Sequence, residues 1–466
     1  MGYETTRRDE IKTAYDYHIE EFARSYKRNR PTILLLPGGM GSQIDRSKKP
    51  YIGNMASAFK YDPIWMDPGI VFDKEALQLE ILPNNHDLGN HICIPNGPLR
   101  FLFKPYKATE DYFRDKDFNY IVFGFDWRRS IRESAGFLHF FLKQLKGRVI
   151  DLWQEDPLPD TTILCHSMGG LVAKVFLHRV FKQNKTSADV RKWMSRLVTV
   201  ATPFYGSATH MTRYYKGQKP LNTIYTPKKL ARLTGTIYGT YILMLLDKKT
   251  YARNADKLEI DRYPVRDAQN PEREADPFDP ILIGRYPGWV EKKHLAHAIE
   301  MRKITTRPLP DAVVDRVFHI RAIRGKTWVE LQWQSINGAA FNPDTDDSPI
   351  SGQYGNDGGG DGTVPFWSAR LVQVPDSQVF NLKKAKKHQE LLEHPETLKV
   401  ISRLIQQDRM PKTVKAPDRT LGGPKASIKA AEQFIEDVAA GKIKRTDPGA
   451  LNQKIWRRIV QEANLC

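Results

Sequence analysis

Apolar runs closed by turn residues set the pattern of this chain. Residues 32–36 (Thr-Ile-Leu-Leu-Leu) end at Pro37-Gly38-Gly39, and residues 120–125 and 197–201 repeat the pattern, the latter closed by Thr202-Pro203. Runs of that length between turns suit strands buried on both faces of a parallel sheet. Stretches near 134–149 and 168–182 are compatible with helices. Strands alternating with helices predict a mostly parallel α/β sheet. Upstream, the charged segment 5–30 carries Ile11, Tyr15, His18, Phe22 and Tyr26 at three- and four-residue spacing, which predicts a helical extension over 1–30.

From 205 to 312 the pattern lapses into tyrosines, prolines and charges, with one helical segment near 227–247. This stretch reads as an insertion over the sheet. Strand character resumes at 317–322 and 378–382, and 391–405 reads as a helix. Past Pro411 the chain becomes rich in proline, lysine and glycine up to about 425, followed by expected helices near 426–440 and 449–463. The expected organisation is an extension (1–30), one large domain (31–410) and a basic helical extension (411–466).

Composition narrows the class. The chain has 466 residues, 40% hydrophobic and 27% charged, which is ordinary for a globular protein. Cys93, Cys165 and Cys466 are too few and too scattered for a disulfide framework or a thiolate zinc site. The N-terminus is polar, without an apolar leader, and the run 235–246 is too short to span a bilayer. A cytoplasmic protein is therefore expected, with export lacking a cleaved signal left open. The net charge of +18 favours anionic partners and allows peripheral contact with an anionic membrane. No nucleic-acid signature accompanies it, so no nucleic-acid partner is expected. Oligomeric state is not legible.

The chemistry centres on residues 161–170 (Thr-Thr-Ile-Leu-Cys-His-Ser-Met-Gly-Gly), where an apolar run ends in Ser167 and a helix-like stretch follows. A strand turning sharply into a helix through a serine is the geometry of a nucleophile elbow, with Cys165 at the place of the usual first glycine. A serine hydroxyl needs a base to take its proton, and the base needs an orienting carboxylate. Asp361, in the glycine-rich loop 358–362 after the 317–322 strand, is the candidate acid, with Asp344, Asp346, Asp347 and Asp357 as rivals. His388, after the last strand, is the candidate base, and His394 is its rival. His166 is expected to point away from the hydroxyl. The backbone of Met168 and the loop 37–42 are placed to hold an oxyanion. This constellation predicts no cofactor and no metal.

Several blocks occur together in a recognisable order: Leu36-Pro37-Gly38-Gly39-Met40-Gly41-Ser42, Ile64-Trp65-Met66-Asp67, Phe125-Asp126-Trp127-Arg128, His166-Ser167-Met168-Gly169-Gly170, Ala201-Thr202-Pro203-Phe204-Tyr205-Gly206-Ser207 and Gly360-Asp361-Gly362-Thr363-Val364-Pro365. Across roughly 31–406 the chain resembles the lecithin:cholesterol acyltransferase-like branch of the α/β-hydrolases, which includes lysosomal phospholipases A and phospholipid:diacylglycerol acyltransferases. The resemblance implies an α/β-hydrolase fold with a lid segment at 43–80 and a cap at 205–312. It implies Ser167 as nucleophile, Asp361 as orienting acid, His388 as base, and Gly39 and Met168 as oxyanion donors. It offers Trp65, Trp127, Tyr205 and the apolar run 237–246 as lining for an acyl-chain groove, with ordinary core packing as the alternative. The cysteine pairs and secretory signal of the animal lipid enzymes are missing.

The expected function is hydrolysis of lipid or other apolar acyl esters through an acyl-enzyme. One alternative is an acyltransferase passing the acyl group to an alcohol. Another is an inactive hydrolase scaffold that binds membranes or partners. An antibacterial lipase exported without a cleaved signal is a further one.

Overall fold

The computed structural model describes residues 2–47, 61–63, 79–82, 84–87, 92–99, 106–181, 186–210, 233–260, 262–267, 270, 273–279, 290–333, 350–382 and 387–413. Trp65, the rival acids Asp344, Asp346 and Asp347, and the expected helices beyond 425 lie outside the described residues. So do most of the expected lid segment 43–80 and part of the expected cap 205–312.

The first half contains helix α1 (Tyr3–Ser25), strands β1 (Thr32–Leu36), β2 (Ser42–Ser47), β3 (Tyr61–Pro63) and β4 (Cys93–Pro98), helix α2 (Lys107–Asp115), strand β5 (Asn119–Val122) and helix α3 (Ile131–Trp153). Strand β6 (Thr161–His166), helix α4 (Met168–Val180) and strand β7 (Arg196–Val200) follow. The second half contributes β8 (Val265–Asp267), α5 (Lys292–Thr305), β9 (Val317–Ala322), β10 (Gly325–Trp333), β11 (Ile350–Gly360), β12 (Val379–Leu382) and α6 (Pro395–Gln407).

The central sheet has six strands in the order β12-β9-β7-β6-β1-β5, every pair parallel. Successive side chains of a strand point to opposite faces, so runs without polar interruption bury both. Leu34, Leu36, Ile163 and Leu197 face one core with α1, α3 and α4. Ile33, Leu35, Leu164, Val198 and Ile320 face the other, with Phe113 of α2 and Leu398, Ile401 and Leu404 of α6. The result is a three-layer sandwich, with the central strands reaching one common edge at their C-terminal ends.

The N-terminal helix is built into this core. Ile11, Tyr15, Ile19 and Phe22 are buried along one stripe, and the Tyr15 hydroxyl donates to the Gly124 carbonyl at 2.8 Å. Its first turn reaches a buried charge cluster after β5. Arg128 grips Asp126 with two nitrogens at 2.7 and 2.8 Å, and Asp87 lies 3.0 Å from Arg128 and 3.1 Å from Arg129. Tyr3 donates to Asp87 at 2.7 Å. Burial opposes ionisation of Asp87, but Arg128 and Arg129 hold its carboxyl down at about 2. Removing one partner of such a buried cluster leaves a charge stranded, so the cluster fixes one arrangement of this loop.

The structure departs from the sequence expectation in the second half. Over its described part, the helix expected near 227–247 breaks into short turns, Tyr238–Tyr241 among them. A Cβ on Gly239 would sit 1.9 Å from the Trp127 carbonyl oxygen, so this backbone is pressed against its neighbour. The buried Arg302 of α5 donates to the carbonyls of Ile242 and Met244 at 2.9 and 2.6 Å, acceptors that a continuing helix would use itself. The same stretch supplies β8, which pairs with β10 in a second sheet, β11-β10-β8. The hairpin β10–β11 therefore intervenes between β9 and Asp361, where the sequence reading has only a loop. Helix α6 begins at Pro395, later than the expected 391, because proline is favoured at a first helical position and lacks the donor needed further in.

Among the described residues no helix is long and apolar enough to cross a membrane.

Candidate functional site

Ser167 stands at the C-terminal end of β6, on the turn into α4, with φ 50° and ψ −123°. A non-glycine residue in such a conformation is strained and persists only where its surroundings enforce it. Here the Ser167 amide donates to the Val200 carbonyl at 2.9 Å, and the Gly170 amide donates to the Ser167 carbonyl at 3.1 Å. The two following glycines permit the close approach. A Cβ at Gly169 would lie 2.4 Å from the Leu36 oxygen, and one at Gly170 would lie 2.1 Å from Thr202 Oγ1. The start of α4 directs its positive end toward the serine.

The Asp361 carboxylate is held by its own loop. Its Oδ1 accepts from the amides of Thr363 and Val364 at 2.9 and 2.7 Å. Gly362, at φ 87°, allows the reversal and donates to Thr327 Oγ1 at 2.7 Å. The other oxygen, Oδ2, lies 2.7 Å from His388 Nδ1. His388 opens a short 3-10 turn after β12, and its Nε2 lies 2.8 Å from Ser167 Oγ. A carboxylate only accepts, so Nδ1 carries the imidazole proton and Nε2 is left to receive one from the serine. All three side chains are buried, at 5%, 2% and 8% exposure for Ser167, Asp361 and His388.

The rival His394 is occupied elsewhere, capping α6 by accepting from the Glu396 amide. The loop after β1 lies against the first residue of α4, with Gly39 so placed that a Cβ would touch Met168 Sδ at 3.4 Å. Neither the Gly39 nor the Met168 amide donates to an acceptor among the described residues. Trp127 and Tyr205 are buried in the core beside the apolar run 237–246, and the Tyr205 hydroxyl accepts from the Val372 amide at 3.3 Å. Among the described residues no cluster of His, Cys, Asp or Glu side chains is arranged to bind a metal.

One residue with a place in this site, Tyr106, escaped the sequence reading. Tyr106 packs against the loop after β1, and its hydroxyl accepts from the Gly38 amide at 2.8 Å. His166 contacts the Tyr106 hydroxyl and the His388 carbonyl. An isolated tyrosine before a helix carries no pattern that would mark it.

Cys165 is fully buried in the core on the α4 side of the sheet, and burial pushes its thiol well above the usual range. It fills space there, so Cys165→Gly is expected to destabilise the fold by about 1–2 kcal/mol, from a lost buried side chain and a looser strand. Urea denaturation checks this; a more stable variant would contradict it.

Buried histidines give the fold an acid limit. Burial lowers His166 and His294 to about 3 and holds His319 well below its usual value. In the unfolded chain these groups protonate near 6.5. Between those values the unfolded state binds more protons, so stability is full above about pH 6.5 and falls as the pH drops toward 3. Thermal unfolding from pH 7.5 to 4.5 should show a falling midpoint; a flat profile would refute it.

The family model of lecithin:cholesterol acyltransferase matches residues 111–253, which include β5, β6, the elbow and α4. No curated protein sequence matches the chain. Among solved structures it is similar to the Tle4-Tli4 complex, at 14% identity and TM-score 0.47, over 82% of this chain and 99% of that one. It is also similar to the mature lipase BlEst2 of Bacillus licheniformis, at 11% identity and TM-score 0.37, over 81% and 93% of the two chains. Esterase E22 is similar at 11% identity and TM-score 0.26, over 82% and 89%. The parallel sheet and the serine elbow form an α/β-hydrolase fold, and the segment that matches the lecithin:cholesterol acyltransferase model lies within it.

Proposed function

We propose that this protein is a serine hydrolase of lipid esters, with Ser167 as nucleophile, His388 as base, Asp361 as orienting acid, and the Gly39 and Met168 amides as oxyanion donors. The observation that carries the reading is the unbroken hydrogen-bonded chain from Asp361 through His388 to Ser167.

Ser167 Oγ attacks the ester carbonyl carbon as His388 Nε2 takes the hydroxyl proton. The carbonyl electron pair moves onto oxygen, and the two amides donate to it. Asp361 offsets the charge forming on His388. Collapse expels the alcohol, which takes the proton from His388 and leaves an acyl-enzyme. Water, deprotonated by His388, then attacks the acyl carbonyl; collapse breaks the bond to Ser167 Oγ, which takes the proton back from His388, and the acid is released. Apolar acyl groups are favoured by the apolar side chains flanking the elbow, and the net charge of +18 favours an anionic lipid surface. If an alcohol replaces water in the second half, the same residues perform acyl transfer, the activity for which the matched family is named.

A panel of p-nitrophenyl esters from butyrate to palmitate, together with acyl-labelled phospholipid vesicles containing a long-chain alcohol, tests the reading. Labelled free acid supports hydrolysis, and labelled long-chain ester supports transfer. Absence of acyl release from every substrate would overturn it.

A further inference from the structure

A second hydrogen-bonded chain runs behind the first. The His166 ring is buried, with one partner for each nitrogen: Nδ1 lies 3.1 Å from the Tyr106 hydroxyl, and Nε2 lies 3.0 Å from the backbone carbonyl of His388. A carbonyl only accepts, so Nε2 carries the proton and Nδ1 accepts from Tyr106. The same hydroxyl accepts from the Gly38 amide at 2.8 Å. Every donor and acceptor is thereby assigned one role, from Gly38 N–H to Tyr106 to His166 to the His388 carbonyl. The links join segments 68, 60 and 222 residues apart in sequence.

The ends of this chain have functional meaning. One is the amide next to Gly39, in the loop proposed to hold the oxyanion. The other is the backbone of the residue proposed to move the proton. The middle member, His166, is bonded covalently to Ser167. Space around the chain is tight: a Cβ on Gly38 would lie 3.1 Å from both His166 Nδ1 and Ser167 Cβ, and one on Gly41 would lie 2.6 Å from the Tyr106 hydroxyl. The His166 and His388 rings face each other at 4.9 Å between centroids, tilted by 33°. Burial and the neighbouring His388 keep His166 neutral, at about 3, so it does not compete for the proton that His388 receives.

We propose that Tyr106 and His166 are positioning residues that lock the oxyanion loop, the nucleophile and the His388 loop into one register; the inference rests on the catalytic reading above. Neither touches the reacting atoms. Their contribution is geometric, and small displacements of catalytic groups lower turnover steeply.

The test uses Tyr106→Phe, which deletes the hydroxyl, and His166→Gln, whose amide reaches the Nε2 position and retains a donor for the His388 carbonyl while losing Tyr106. His166→Asn has the opposite reach. Rates are measured per active site, titrated with a fluorophosphonate. Tyr106→Phe and His166→Asn are expected to lower kcat about 10- to 100-fold, with KM within about 2-fold, following the usual cost of a misplaced group. His166→Gln is expected to recover part of the His166→Asn loss. The Tyr106→Phe/His166→Gln double variant should be no more than about 3-fold worse than the poorer single variant, since both break one chain. A merely structural role predicts a lower melting temperature with kcat and KM per titrated site unchanged, and that result would overturn the proposal. If Tyr106→Phe does not fold, the histidine pair decides alone: His166→Gln and His166→Asn both turning over at the parent's rate per titrated site refute it. Labelling of Ser167 in the parent protein separates the two failures, because a parent that labels there with unaffected variants sinks only the positioning bridge.

Discussion

Ser167→Ala is expected to lower kcat/KM on p-nitrophenyl butyrate by about 10⁴-fold or more, leaving the fold intact. The hydroxyl is the only group the mutation removes. Its Oγ is engaged by His388 Nε2 at 2.8 Å, and the backbone strain at φ 50° is enforced by the Val200 carbonyl and the close approach of Gly169 and Gly170, not by the hydroxyl. The melting temperature should therefore change little while turnover vanishes. Residual activity above about one hundredth of the parent would mean that another nucleophile does the chemistry.

Asp361→Asn is expected to reduce kcat by about 10⁴-fold, although asparagine has almost the same shape. The Oδ1 position accepts from two backbone amides, of Thr363 and Val364, so the asparagine carbonyl oxygen must occupy it. Its NH₂ group then faces His388 Nδ1, which currently lies 2.7 Å from a carboxylate oxygen. A donor there forces His388 to accept at Nδ1 and to carry its proton on Nε2, pointing at Ser167. No acceptor remains for the serine proton. Asp361→Ala leaves the tautomer unforced, so it should be no worse than Asp361→Asn per folded molecule. Steady-state kinetics with circular dichroism on both variants would check this; full activity in Asp361→Asn would refute the tautomer argument.

The sequence carried the frame of this account where physical chemistry acts locally. Strands at 32–36, 161–166, 196–200 and 317–322 were legible because each carries a short run rich in apolar residues, as a strand buried on both faces requires. Ser167, Asp361 and His388 could be singled out because each follows a strand in a fixed order. The features that stayed hidden depend on contacts distant in sequence. The breakdown of the helix near 227–247 follows from Arg302 capturing two of its carbonyls and from Gly239 pressing on Trp127. The hairpin β10–β11 lacks a clean alternation, and its pairing carries register shifts near Trp328. Tyr106, and the partners of His166, became visible only when segments 68, 60 and 222 residues apart were brought together. Asp126 and Arg128 stand out in sequence as part of a block, but their ion pair and its place in a buried cluster show only once Asp87 and Arg129 lie beside them.

Cys165, at the place of a glycine in the usual elbow, also changes meaning in three dimensions. It is a core residue of β6, paired with Leu36 and Thr199 and buried in the core that also holds α4. The crowding that demands glycine falls on the other side of the turn, at Gly169 and Gly170.

The central claim is that Ser167 is an activated nucleophile. Incubating the folded protein with a fluorophosphonate and mapping the modified peptide by mass spectrometry tests it most directly. The account predicts a single phosphonyl adduct on Ser167, formed in the parent, absent when the protein is heat-denatured before the probe is added, and nearly absent in His388→Ala. No adduct on Ser167, or one formed equally fast in His388→Ala, would contradict it.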